Sequence, residues 1–110
     1  MGSRLQLHEE FIDILGTKGE QESRVYFNPP ESVKMKYDKE GCIRYSRSAP
    51  DIKRANNAAY RVTPQYDGVV ITRNPDSNIP DLILARIPMC YLGDSYVADN
   101  LYHFPFTLYY

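Results

Sequence analysis

Only two stretches of this chain repeat their apolar residues at helical spacing, and the three runs between them read as strands. That alternation constrains the fold more than any other feature, because each helix needs a sheet face to bury its stripe. In the first stretch Leu5, Phe11, Ile12 and Leu15 fall on one face, while Glu9, Glu10 and Asp13 face away. Ser3 and Gln6 have the spacing of a capping box. Gly16 is a natural stop, since glycine takes the left-handed conformation that closes a helix. In the second stretch Ile79, Leu82, Ile83 and Ile87 recur at i, i+3, i+4 and i+8. Pro80 is tolerated in a first turn, and Pro88 ends the helix.

The remaining segments read as strands and their connections. Arg24 to Phe27 is short and β-prone, and Asn28-Pro29-Pro30 ends it. Lys34 to Gly41 is charged and is expected to be a loop. Cys42 to Ser48 alternates, with Ile43 and Tyr45 on one side and Arg44 and Ser46 on the other, which predicts a half-exposed strand. Ala49 to Ala59 carries Pro50, Asp51, Asn56 and Asn57 and is expected to be a long exposed connection. Tyr60 to Arg73 is the longest strand region. Val69-Val70-Ile71 is its central part, and Pro64 belongs at an edge or bulge. Asn74-Pro75-Asp76-Ser77 predicts a turn. Met89 to Val97 and Leu101 to Tyr110 predict two strands joined by a tight turn at Ala98-Asp99-Asn100.

The order is α-β-β-β-α-β-β. It describes an α+β fold, a single mostly antiparallel sheet with two helices on one face. A length of 110 residues fits one domain, 1–110. Phe11, Leu15, Val69, Ile71, Leu82, Ile83 and Phe106 are its expected core.

Several chemistries find no residues to carry them. His8 and His103 have no nucleophile motif beside them, so no catalytic residue is assigned and no enzyme is expected. The two cysteines, Cys42 and Cys90, have no metal spacing and read as free thiols of a reducing compartment. No metal and no cofactor is expected. No glycine-rich phosphate loop is present. Asp76 to Asp81 lacks the glycine and terminal glutamate of a calcium loop, so turn formation and capping explain its carboxylates. No apolar run approaches the roughly 18 residues of a membrane span. The segment after Met1 is amphipathic and acidic, unlike a secretory leader.

What remains is surface chemistry suited to other chains. Between Lys34 and Arg61 eight cations face three anions, a net of +5, which leaves −6 on the rest of a chain whose total is −1. Ten residues are tyrosine, and Tyr102, Phe104, Phe106, Tyr109 and Tyr110 crowd the last strand. Tyrosine suits interfaces, because its ring buries area while its hydroxyl keeps a partner. Sheet packing accounts for alternate rings equally well, and scattered solvated charge for the basic segment. Lys53, Arg54, Tyr60, Arg61, Tyr109 and Tyr110 are the candidate partner-binding residues. The first four also suit a small nucleic-acid-binding module, the alternative to a protein-interaction module.

The run Val25-Tyr26-Phe27-Asn28-Pro29-Pro30-Glu31-Ser32-Val33-Lys34-Met35-Lys36-Tyr37 resembles the start of small virion proteins from the tail modules of long-tailed phages and prophages. So do Ile43 to Arg47, Val70 to Ser77, Leu84 to Cys90 and Ala98 to His103. The pattern, from Leu7 to Tyr110, is similar to the tail-terminator and tail-completion group. The resemblance implies a non-enzymatic structural protein that forms a ring, hexameric in that group, on the head-proximal end of the tail tube. Its implied partners are copies of itself, the tail tube protein and the head connector protein, with no membrane and no small-molecule substrate. It implies assembly in the host cytoplasm and a final place in the virion. The chain departs from the pattern at Asp38-Lys39-Glu40-Gly41, and Pro64, Gly68 and Pro105 stand where ladder-forming residues are expected.

Overall fold

A computed structural model describes residues 3–21, 23–29, 41–48 and 64–110. The elements are α1 (Arg4–Leu15), β1 (Val25–Phe27), β2 (Cys42–Ser48), β3 (Gln65–Thr72), α2 (Ile79–Arg86), β4 (Met89–Leu92), β5 (Tyr96–Ala98) and β6 (Leu101–Tyr109). The strands form one sheet in the order β1-β2-β3-β6-β4, with β5 also on β6. Among the described strands only the β1–β2 pair is parallel. The protein is therefore α+β, with a mostly antiparallel sheet. The segments 30–40 and 49–63 lie outside the described residues; they hold the expected loop from Ala49 to Ala59, that from Lys34 to Gly41 except Gly41, and the first four residues of the expected strand from Tyr60.

Local chemistry sets the ends of α1. Ser3 Oγ accepts the Gln6 amide at 3.2 Å, and Gln6 Oε1 accepts the Ser3 amide at 2.8 Å, which completes the capping box. At the other end Gly16 adopts φ 72°, donating to Asp13 O, while Thr17 donates to Ile12 O. Both bonds belong to the Schellman closure of a helix. The buried stripe is Leu7, Phe11, Ile14 and Leu15. Leu5 is 65% exposed, because it lies about 200° around the helix from Leu7.

In α2 the buried positions are Ile79, Pro80 and Ile83, and the C-cap Ile87 continues the four-residue repeat of Ile79 and Ile83. Leu82 is exposed rather than part of the core, since a two-turn helix buries only a narrow stripe and Leu82 stands on its flank. The preceding turn forms as expected. Ser77 N donates to Asn74 O, and Asn74 Oδ1 accepts the Asp76 amide at 3.0 Å. Arg86 ties α2 to α1 through Glu10 at 2.8 Å and Asp13 at 2.6 Å.

Both helices bury their stripes against one sheet face. Their apolar side chains join Val25, Ile43, Tyr45, Tyr66, Val70, Cys90, Phe106 and Leu108 in the main core. Tyr45 is its centre, with the rings of Phe11 and Phe27 at 5.0 Å and Tyr66 at 6.1 Å. On the opposite face Cys42, Val69 and Ile71 form a second buried cluster, with Tyr26 and Leu101 against it. Six of the seven expected core residues are buried, Leu82 being the exception.

Two of the out-of-place residues have a geometric reason. Gly68 pairs with Phe106 across β3 and β6, and the Phe106 ring occupies the space a Cβ at Gly68 would take. Pro105 pairs with Val69, and its carbonyl accepts Gly93 N at 2.9 Å on the β4–β5 side. In an extended strand a residue's N–H and C=O point the same way, so the missing N–H also faces that side and costs no rung to β3. There the outer strand is broken. Residues 93–95 interrupt it, so the expected Met89–Val97 strand is the pair β4 and β5. The hairpin turn matches the expected one: Asp99 (φ 53°) and Asn100 (φ 63°) both take positive φ between the paired Ala98 and Leu101.

Candidate functional site

The reactive groups of the main core act as structure. Tyr45 lies 1% exposed beneath α1, and its hydroxyl is 2.7 Å from His8 Nδ1. Burial raises the Tyr45 pKa, with the Arg4 guanidinium pulling the other way. Burial also lowers that of His8, and Arg4 adds to the lowering while Glu9 opposes it. Burial thus favours the protonated phenol and the neutral imidazole, and the two groups share one hydrogen bond. Arg4 also stands over the Phe27 ring at 4.5 Å. This node joins α1 to β1 and β2.

His103 Nδ1 is 3.0 Å from Leu101 O, which assigns it the proton, and its ring stacks on Tyr96 at 4.8 Å and 13°. No nucleophile is in contact with it among the described residues. Burial pushes the Cys42 thiol up to about 12 and raises that of Cys90. Both cysteines are unpaired, and they lie in the two different clusters. A thiol so protonated is a poor nucleophile. Among the described residues no three His, Cys, Asp or Glu side chains gather as a metal site. No described helix is long and apolar enough to cross a membrane.

Two surface features have no structural explanation within the fold. The first is a concavity of about 380 Å³ on the sheet face opposite the helices. Arg44, Ser46, Asp67, Tyr96, Pro105 and Asn28 are among its walls. Asp67 accepts the Thr107 hydroxyl at 2.8 Å. Arg44 is exposed, with no ion-pair partner among the described residues. The concavity offers hydrogen-bonding groups of both signs and an aromatic wall.

The second feature is the outer edge. Among the described residues, five of the eight exposed large apolar side chains lie on β4 and β5: Met89, Tyr91, Leu92, Tyr96 and Val97. Tyr91 and Val97 are each more than 60% exposed. Among the described residues no strand pairs with the outer side of β4 or β5. Edge strands are normally blunted by lysine, proline or charge, and neither strand contains any of these.

The candidates from the sequence fall differently. Lys53, Arg54, Tyr60 and Arg61 lie outside the described residues. Tyr109 is half-buried on the face opposite the helices, and its ring meets Tyr91 edge-on at 6.4 Å. Tyr110 packs on the main core and donates its amide to Pro64 O at 3.2 Å. The five edge residues were not among the candidates. The signal for them was Met89 and Tyr91 on one face and Cys90 and Leu92 on the other, apolar residues on both faces of a strand that lacks any charge. Comparison with known protein families, with characterised proteins and with solved structures finds no match to this chain.

Proposed function

We propose that this chain is a non-enzymatic assembly subunit, a virion structural protein that caps the tail tube of a long-tailed phage and joins it to the head connector as a subunit ring. The observation that carries the assembly reading is the uncharged apolar edge formed by β4 and β5. Such an edge in a free protein invites pairing with another chain, and a subunit that functions within an assembly covers it. The phage assignment rests on the resemblance of Val25 to Tyr37, Val70 to Ser77 and Ala98 to His103 to tail-completion proteins. In this reading the chain needs no cofactor. It blocks tube growth by occupying the tube end and presents a new surface to the connector.

The test is to mix the purified chain with the tube protein encoded alongside it and to follow tubes by electron microscopy. Capped tubes of limited length, with the chain at one end only, are expected. Tubes that grow unchanged and carry none of the chain would remove the tail assignment.

A further inference from the structure

We infer that the β4–β5 edge of one copy docks on the concave sheet face of a second copy of this chain, with Asp94 of the first copy meeting Arg44 of the second. The inference rests on the assembly reading above and names the two surfaces that meet. It joins the two features that the fold itself leaves without a role.

Charge complementarity selects the occupant. Residues 87–110 contain no Lys or Arg, and their only carboxylates are Asp94 and Asp99. Asp94 lies exposed in the 93–95 break between the apolar Leu92 and the exposed residues of β5. Two such edges facing each other would oppose carboxylates without a cation to offset them. The concave face carries a cation for Asp94 to meet. Arg44 lies there exposed, and the nearby Asp67, which keeps its charge, is turned to the Thr107 hydroxyl. An edge carrying Leu92, Asp94 and Val97 thus finds a guanidinium with no ion-pair partner among the described residues, with the apolar Pro105 and Val69 among the neighbouring walls. Opposite charges set register and orientation, and apolar burial supplies affinity. Because the two surfaces differ, the contact is heterologous, and successive copies close a ring when the rotation permits.

The experiment is sedimentation equilibrium of the whole chain up to millimolar concentration, with melting temperature measured on every variant. The wild-type chain is expected to self-associate, more weakly as salt rises. Asp94→Lys and Arg44→Glu should each weaken association by roughly tenfold or more. The Asp94→Lys/Arg44→Glu double variant, and a mixture of the two single variants, should recover it. Leu92→Lys with Val97→Lys should abolish it with the fold kept, since lysine is what blunts a sheet edge. A chain that stays monomeric throughout overturns the inference. So does association that is indifferent to Arg44→Glu, which would mean edges pairing with each other. A monomer that still caps tubes would overturn this contact and leave the tail reading standing.

Discussion

At the residue scale, the fold depends on a few side chains whose roles reach across the sheet. Phe106 covers Gly68 and meets Phe11 at 5.6 Å. Phe106→Ala should cost about 3–5 kcal/mol, because a ring is lost from a site that cannot fully collapse. Gly68→Ala should cost less in the Phe106→Ala background than alone, with a coupling on the order of 1 kcal/mol in denaturant melts. Additive costs would show that the ring does not constrain Gly68. A second test concerns His8, whose pKa is lowered from 6.5 chiefly by burial. The unfolded chain then binds the proton more readily than the folded one. Stability from this group is complete above about pH 6.5 and falls as pH drops through the folded value. His8→Gln keeps a partner for the Tyr45 hydroxyl and removes the titration. Melting temperature of the wild-type chain should therefore drop relative to His8→Gln between neutral pH and pH 5, and parallel curves would deny His8 this role. The tyrosine content suited an interface and sheet packing equally in the sequence, and Tyr45 and Tyr66 are core. Composition does not tell a buried ring from a docking one, because both depend on what lies across the sheet.

At the element scale, the legible features were local ones. The bounds of β2, the turn at Asn74 to Ser77, the capping box, the Gly16 stop and the two-residue hairpin turn each depend on chemistry within a few positions. Ser3→Ala removes the acceptor for Gln6 N and should lower stability by about 0.5–2 kcal/mol, seen as an earlier melt with unchanged near-ultraviolet dichroism. No change would mean that the first turn contributes nothing to the fold. The break between β4 and β5 was not legible, because its cause lies on the opposite strand. Pro105 has no N–H to offer just where the outer strand passes it, and Gly93 bonds to its carbonyl instead. Leu82 failed for a similar reason. A two-turn helix leaves its flanks to whatever surrounds it, and spacing alone cannot choose between Leu82 and Ile83.

At the scale of the whole molecule, the sequence showed a charge split but not where its halves meet. Residues 87–110 hold only −2 of the remaining −6, and the apolar edge they form was legible only once the sheet order put β4 and β5 outermost. The basic half runs from Lys34 to Arg61, and Lys53 and Arg54 test it directly. Reversing both to glutamate moves the segment from +5 to +1 and the chain from −1 to −5. If the segment meets acidic surface in the assembled ring, the variant should cap tubes slowly or not at all. Like charges across an interface cost several kcal/mol, whereas surface charges away from any partner change stability by about half a kcal/mol. Circular dichroism and melting should therefore remain near those of the wild-type chain. The same variant separates the two classes of partner. A module that grips nucleic acid would lose binding to single-stranded DNA, and its wild-type affinity would fall steeply with salt through counterion release. An assembly subunit would show little DNA affinity at any salt and would lose capping alone. Normal capping by a well-folded Lys53→Glu/Arg54→Glu chain would take this pair out of the interface and leave their charge as solvated surface.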